Sequence, residues 1–213
     1  RLLRDLKSSA DATIRDALAQ GLPTDNDAGQ QWETRCIGEL CDLQNGHGFA
    51  ASDWSTTGLP IIRIQNLNGS REFNFFAGEV DQSWLVHPGT LLFAWAGVRG
   101  VSFGPCIWAG PLGLLNQHIF RVLPKDGINQ RWLYEVLRLI TSKIEKRAHG
   151  FKIELVHARK SEITNQPVKV PSTSEQQHIA ELAISLDGAI RILQADLKRV
   201  RDFLVALANA ATK

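Results

Sequence analysis

Pro171-Ser172-Thr173-Ser174-Glu175-Gln176-Gln177 opens a stretch, PSTSEQQHIAELAISLDGAIRILQADLKRVRDFLVALANAATK, that runs to Lys213 and decides the character of the fold. Ser172 with Glu175, Thr173 with Gln176, and Ser174 with Gln177 each match the capping box, in which a hydroxyl and a carboxylate or amide satisfy backbone N–H groups at a helix start. A helix is predicted to begin here. Downstream, Ile179, Ala183, Leu186, Ile190, Leu193, Leu197, Val200, Leu204 and Leu207 recur at alternating spacings of four and three. That is a heptad seam, and the Arg, Asp, Lys and Gln between its members predict a coiled-coil helix. At about 1.5 Å per residue the seam runs about 42 Å, more than a small domain needs for its own core. The helix is predicted to meet another long helix; the alternative is a terminal helix lying on its own domain.

Working back from this helix, residues 167–170 read as a short strand. Residues 128–148 read as a helix whose stripe is Ile128, Leu133, Val136 or Leu137, Ile140 and Ile144, with Gly150 placed to end it. Arg138, Lys143, Lys146 and Arg147 crowd its second half, which suits the negative end of a helix dipole. From Trp32 to Pro124 the texture is different, with short apolar runs broken by Gly, Pro, Asn and Ser. Strands are predicted over 37–43, 60–64, 90–96, 101–107 and 119–123. No strand-helix alternation repeats, which disfavours a parallel doubly wound sheet. Residues 24–31 (TDNDAGQQ) read as a linker, and residues 2–18 as a short amphipathic helix with Leu3, Leu6, Ala10, Ile14, Ala17 and Leu18 on one face, stopped by Gly21-Leu22-Pro23. The predicted class is α+β, divided into an N-terminal helix and linker (1–31), a β-rich domain (32–171) and a coiled-coil helix (172–213).

The 213 residues are 44% hydrophobic and 22% charged, which excludes disordered, collagen-like and disulfide-scaffold classes. No apolar run approaches the roughly 18 residues of a spanning helix, and the N-terminus lacks a signal-like apolar core, so a soluble, cytoplasmic protein is expected. The three cysteines do not form a disulfide framework. Met is absent even at position 1, which suggests a fragment or a processed product. The net charge of +2 hides an asymmetry: residues 121–170 hold eleven Lys and Arg against five Asp and Glu, while residues 32–120 hold four against seven. A local basic excess suits a surface that faces phosphates, and also suits an ordinary solvated helix face.

Motifs for chemistry are weak. Gly100-Val101-Ser102-Phe103-Gly104 matches G-x-S-x-G, but Pro105 to Pro111 reads as extended chain and turn where a nucleophile elbow needs a helix. No phosphate-binding loop or dinucleotide fingerprint occurs. Cys36, Cys41 and His47 lack a second half for a zinc site, Cys106 and His118 are scattered, and Asn68-Gly69-Ser70 reads as a turn. No metal or cofactor is expected. Side chains that suit base edges and phosphates are plentiful instead, among them Asn45, His47, Gln65, Asn66, Asn68, Arg71, Trp95 and Arg99.

An ordered series of stretches resembles one half of a type I restriction-modification DNA specificity subunit. They are Trp32-Glu33 with Ile37-Gly38-Glu39-Leu40; Gln44-Asn45-Gly46 with Phe49; Gly58-Leu59-Pro60-Ile61-Ile62-Arg63-Ile64 with Asn66-Leu67; Pro88-Gly89-Thr90-Leu91-Leu92 with Ala96-Gly97; Leu115-Asn116-Gln117-His118 with Phe120-Arg121-Val122; and Val170-Pro171 with Glu175-Gln176 and Ile179-Ala180. The heptad helix occupies the place of the family's spacer helix. The resemblance implies a non-catalytic target recognition domain that reads a few base pairs of double-stranded DNA. It implies a spacer helix that sets the distance to a second such domain, and docking to the methyltransferase and restriction subunits that do the chemistry. Two departures stand out: the family carries two recognition units packed through antiparallel helices where this chain has one, and Thr90 stands where Asp often follows Pro-Gly.

Stretches shared by family members that read different DNA, such as 61–64 and 115–118, are expected to be framework, with His118 a structural histidine. Base contacts are expected from Asn45, His47, Arg71, Trp95 and Arg99, and phosphate contacts from Arg147, Lys152 and Lys160. A homodimer through the coiled-coil helices would place two domains on inverted half-sites. The rival readings are the specificity part of a larger fused restriction-methylation enzyme and a coiled-coil protein-interaction module that does not bind DNA.

Overall fold

Backbone hydrogen bonding decides where each short apolar run of this chain ends. The computed structural model describes residues 2–20, 32–147 and 155–211. In chain order they form α1 (Leu2–Gln20), β1 (Glu33–Cys36), α2 (Ile37–Leu40), β2 (Cys41–Asn45), β3 (Leu59–Ile62), α3 (Ile64–Leu67), β4 (Asn74–Phe76), β5 (Leu85–Val86), β6 (Leu91–Ala94), β7 (Ala96–Val98), β8 (Gly104–Ile107), β9 (Gly113–Leu115), β10 (Ile119–Pro124), α4 (Gln130–Arg147), β11 (Leu155–His157), α5 (Lys160–Thr164), β12 (Pro167–Val170) and α6 (Thr173–Ala211). The residues fall into two compact units, one of Gln31–Thr173 and one of Arg1–Gln30 with Ser174–Lys213.

The Gln31–Thr173 unit is built on two four-stranded sheets, ordered β2-β10-β6-β8 and β4-β3-β9-β5, with the pairs β1-β12 and β11-β7 beside them. Among the described strands the pairings are antiparallel except β3 with β9, and an isolated parallel bridge joins His47 and Asn116, in agreement with the α+β reading. β9 runs into β10 through residues 116–118, so one turn joins the two sheets. Arg121 reinforces the joint: from β10 its Nε donates to Gln44 Oε1 of β2 at 3.1 Å, and its Nη1 donates to the Leu85 carbonyl of β5 at 3.0 Å. One buried cluster collects Ile62, Val86, Leu92, Trp108, Leu115 and Ile119, and a second collects Phe49, Ile61 and Leu114. α4 packs on β8, where Gly104 has φ +117° and a Cβ would lie 2.8 Å from Thr141 Cγ2. A side chain there is excluded twice over, by the backbone and by the helix.

Several sequence expectations need correction. Residues 37–43 are not one strand: α2 takes the first four and β2 the rest. Ile37 and Leu40, three apart, are both fully buried, and Glu39 Oε2 accepts from Cys36 N at 2.6 Å to start the turn. The run 90–96 breaks at Trp95, whose N–H donates to the His118 carbonyl and whose carbonyl accepts from Ala158 N. Only Gly104–Ile107 of 101–107 is strand, because residues 101–103 turn back on the Val98 carbonyl. β1, β4, β5, β9 and β11 are too short to leave a pattern in the sequence. The helix expected over 128–148 starts at Gln130, since the Asn129 side chain accepts from the N–H groups of Arg131 and Trp132 at 2.9 and 3.0 Å. The stops expected at Gly21-Leu22-Pro23 and Gly150, and the linker 24–31, lie outside the described residues.

In the other unit, α1 buries Ile14, Ala17 and Leu18. α6 is one uninterrupted helix whose opening turns bury Gln176, Ile179, Ala180 and Ala183. Residues 191–210 are all exposed. The heptad seam therefore begins buried and ends in solvent.

Candidate nucleic-acid interface

Five of the eleven Lys and Arg of residues 121–170 are engaged by other parts of the fold. Arg121 holds the sheet joint described above. Lys125 Nζ donates to the Gly38 carbonyl at 2.9 Å and faces Asp42 at 3.8 Å. Arg131 and Arg138 both clamp Glu135, at 2.7 and 2.8 Å, and that carboxylate is only 1% exposed. Both guanidinium groups also lie over the Tyr134 ring, at 4.9 and 5.9 Å. Lys160, expected on phosphate, donates to the Leu43 carbonyl at 2.7 Å. Lys143, Lys146 and Arg147 are exposed at the C-terminal end of α4, and Lys152 lies outside the described residues. Arg147 also borders a cleft of about 780 Å³ with Ile144, Leu155, His157, Ser161 and Glu162.

Arg99 sits in the turn between β7 and β8, beside that end of α4. The Gly100 N–H donates to Glu145 Oε1 at 2.8 Å, and Val98 N donates to Ser102 Oγ at 2.7 Å. Gly100 has φ +66°, the left-handed region that such a turn requires. Ser102 is thus a turn-forming hydroxyl and no strand-to-helix elbow surrounds it. Asn68 lines one cavity of about 270 Å³ with Val101, Ser102, Arg131 and Tyr134, so the loop that follows α3 neighbours this turn. Arg71 is displayed on that loop, which is stitched by the buried Asn66. Asn66 Oδ1 accepts from Arg63 N at 2.9 Å, and its Nδ2 donates to the carbonyls of Ser70 and Glu72 at 3.2 and 2.8 Å. Arg63 adds a bond to Asn74 and stacks over the half-exposed Trp54.

Asn45, His47 and Trp95 gather around the 116–118 turn. Asn45 is exposed at the end of β2, opposite Phe120 of β10. The His47 ring stacks on Trp84 at 3.9 Å and meets the edge of Phe49, which makes it part of an aromatic cluster. Nearby, the Ser83 backbone N–H holds Asp81 below the usual carboxylate range, with the Ser83 hydroxyl and His47 as smaller causes. Trp95 donates through Nε1 to the Gln117 carbonyl at 3.2 Å, between the rings of His118 and His157. β7 then carries the chain from Trp95 to Arg99, so the junction face and the Arg99 turn are the two ends of one strand. His157 and Glu145 were missed by sequence reasoning, because they become neighbours of the expected residues only through the β7-β11 pairing and the Gly100–Glu145 bond, while Val101 was passed over although it stands two residues from Arg99.

Among the described residues, no group of three or more His, Cys, Asp or Glu is placed to hold a metal ion, and no helix is long and apolar enough to cross a membrane. Burial, with the charge of Asp42 adding to it, pushes the Cys41 thiol up to about 12.

Residues 29–201 match the family model described as the type I restriction modification DNA specificity domain. A curated relative, the type I restriction enzyme EcoBI specificity subunit of Escherichia coli, is 23% identical over 199 residues, which are 92% of this chain and 41% of that protein. Among solved structures, the HsdS subunit from Thermoanaerobacter tengcongensis matches 94% of this chain with 50% of its own, at 19% identity and a TM-score of 0.63. A chain from a structure on complex assembly and conformational transition of the type I R-M system matches 97% of this chain with 51% of its own, at 19% identity and a TM-score of 0.68. The S subunit from M. genitalium gives 94%, 54%, 15% and 0.56. The chain therefore spans about half the length of the relatives it matches.

Proposed function

Because the chain belongs to the type I restriction-modification DNA specificity family, we propose that residues 32–171 are a target recognition domain that reads a short sequence in double-stranded DNA. Residues 172–213 are then the spacer and dimerisation helix. In this reading the chain is a non-catalytic, cytoplasmic component without a cofactor of its own, and methyltransferase and restriction subunits perform the chemistry on the DNA it positions. The observation that carries the reading is the family match together with one region of the surface. There the half-buried Arg99 lies in the β7-β8 turn, which is bonded to Glu145 near the C-terminal end of α4, where Lys143, Lys146 and Arg147 are exposed, and Arg71 is exposed on the loop after α3.

Phosphate contact falls first to the cations at the end of α4 and in the turn, with Lys160 tethered by one of its three ammonium protons to the Leu43 carbonyl. Asn45 and Arg71 are the exposed side chains best placed for base edges, while Trp95, whose single donor holds the Gln117 carbonyl, and His47 support them from the aromatic clusters. Two copies joined through the exposed seam of α6 would carry two recognition domains in two-fold symmetry, on inverted half-sites. Sedimentation equilibrium tests the assembly: the expected species is a dimer of twice the 23.6 kDa chain, and a strict monomer at every concentration overturns it. Fluorescence anisotropy on duplex DNA tests the reading itself. Affinity should fall steeply with salt as counterions are released, and duplex binding that is absent or independent of salt would favour a protein-interaction module.

A further inference from the structure

We propose that the β7-β8 turn is a DNA-reading finger in which Val101 makes an apolar base contact and Glu145 is the positioning residue that holds it. The proposal rests on the reading of residues 32–171 as a DNA recognition domain. Val101 stands at the tip of the turn and is 66% exposed, and Val98 at its base is 38% exposed. Aliphatic groups in such positions gain nothing from water, and scattered ones would need no comment. This pair, however, is mounted on a turn that is pinned rather than loose. The N–H groups of Val101, Ser102 and Phe103 all donate to the Val98 carbonyl, at 3.1, 2.9 and 3.2 Å, and the Ser102 hydroxyl accepts from Val98 N at 2.7 Å. A Cβ on Gly97 would lie 2.7 Å from that hydroxyl, so the chain closes tightly at the base of the turn as well.

Glu145 supplies the tie to the rest of the domain, accepting from Gly100 N at 2.8 Å across 45 residues of sequence. Its sequence neighbours on α4 are cations, Lys143, Lys146 and Arg147, and Arg99 lies in the turn itself. A carboxylate in that company opposes a polyanion electrostatically, and its bond to the turn explains what it does there. The family match commits the partner to duplex DNA: exposed cations at the end of α4 meet phosphates, and the valine methyls reach a groove where the thymine methyl is the apolar feature to be read.

The test uses the full chain, wild type and the variants V101A, E145A and E145Q, each allowed to select from a pool of randomised duplexes, with affinity for one arbitrary duplex measured across a salt series. Thermal midpoints confirm that each variant is folded. Wild type should enrich a motif. V101A should lose preference at one or two of its positions, by about tenfold. E145A should lower the ratio of specific to non-specific affinity by about tenfold, while non-specific affinity holds or rises because a negative charge is gone. E145Q keeps an acceptor for Gly100 N–H and should retain the wild-type motif. If E145A and E145Q behave alike and both keep the motif, Glu145 acts by charge alone and the positioning role is overturned. A V101A motif identical to that of wild type overturns the base contact. No enriched motif and no salt-dependent binding by wild type defeats the DNA reading itself, which is a separate result.

Discussion

Leu91, Leu92, Phe93 and Ala94 of β6 are all fully buried, whereas Leu193, Leu197, Val200, Leu204 and Leu207 of α6 are between 42% and 58% exposed. The side chains are of one chemical kind, so the contrast lies in what surrounds them. Within the Gln31–Thr173 unit, β6 lies between β8 and β10 with clusters of apolar side chains on the sheet faces. Burying a large aliphatic side chain contributes about 1.5–3 kcal/mol, and β6 realises that gain within one chain. The α6 seam does not. The Gln31–Thr173 unit has buried clusters of its own, while the second half of α6 leaves its seam in solvent.

The sharpest way to break this comparison is to charge the seam. L197D with L204D should abolish association wherever wild type is dimeric, as read by sedimentation, and leave the melting of the β-rich unit in place. Truncation after Val200 should weaken assembly in the same direction without unfolding residues 32–171. An internal ion cluster should behave in the opposite way. E135A strips Arg131 and Arg138 of the carboxylate they share, and should cost about 3–5 kcal/mol in denaturant unfolding with no change in how monomers associate. A smaller loss is expected from N66A, about 1–3 kcal/mol, since it leaves Arg63 N–H and two loop carbonyls short of a partner. DNA affinity should fall with it, because the loop that displays Arg71 is released.

The smallest effect near neutrality comes from Cys41. Its thiol titrates at about 12 in the folded chain against an ordinary value of 9.0, so the neutral form is favoured by folding. That contribution is complete below pH 9.0 and is lost as pH rises towards 12. Unfolding midpoints compared at the two ends of this window should fall more for wild type than for C41A. At neutral pH a thiol reagent should modify the half-exposed Cys36 readily and reach Cys41 only after unfolding.

Long periodic elements were legible in advance. α6 begins where the capping residues cluster, α4 begins and ends close to its expected bounds, and β10 and β12 fall within a residue of theirs. Short elements were not. Ile37 and Leu40 fit a strand's apolar composition, and only the capping by Glu39 and burial on both sides make them a helical turn. The site divides in the same manner. That Arg, Lys and Asn are plentiful could be read from composition, but the fate of each cation could not. Lys160 and Arg121 are basic residues in a basic stretch, and each is committed to a carbonyl or amide that lies far away in sequence.

What the sequence determined by itself is what depends on neighbours within a turn or two: the heptad seam and its capped start, the stripe of α4, the punctuated β-rich middle, and the ordered motifs of the specificity family. Tertiary structure alone decided which exposed-looking polar groups are consumed inside the fold and which reach solvent. It brought Glu145 to Gly100 and His157 to Trp95. Those choices rest on backbone carbonyls and N–H groups that acquire partners only when strands remote in sequence align, and no local pattern of side chains encodes them.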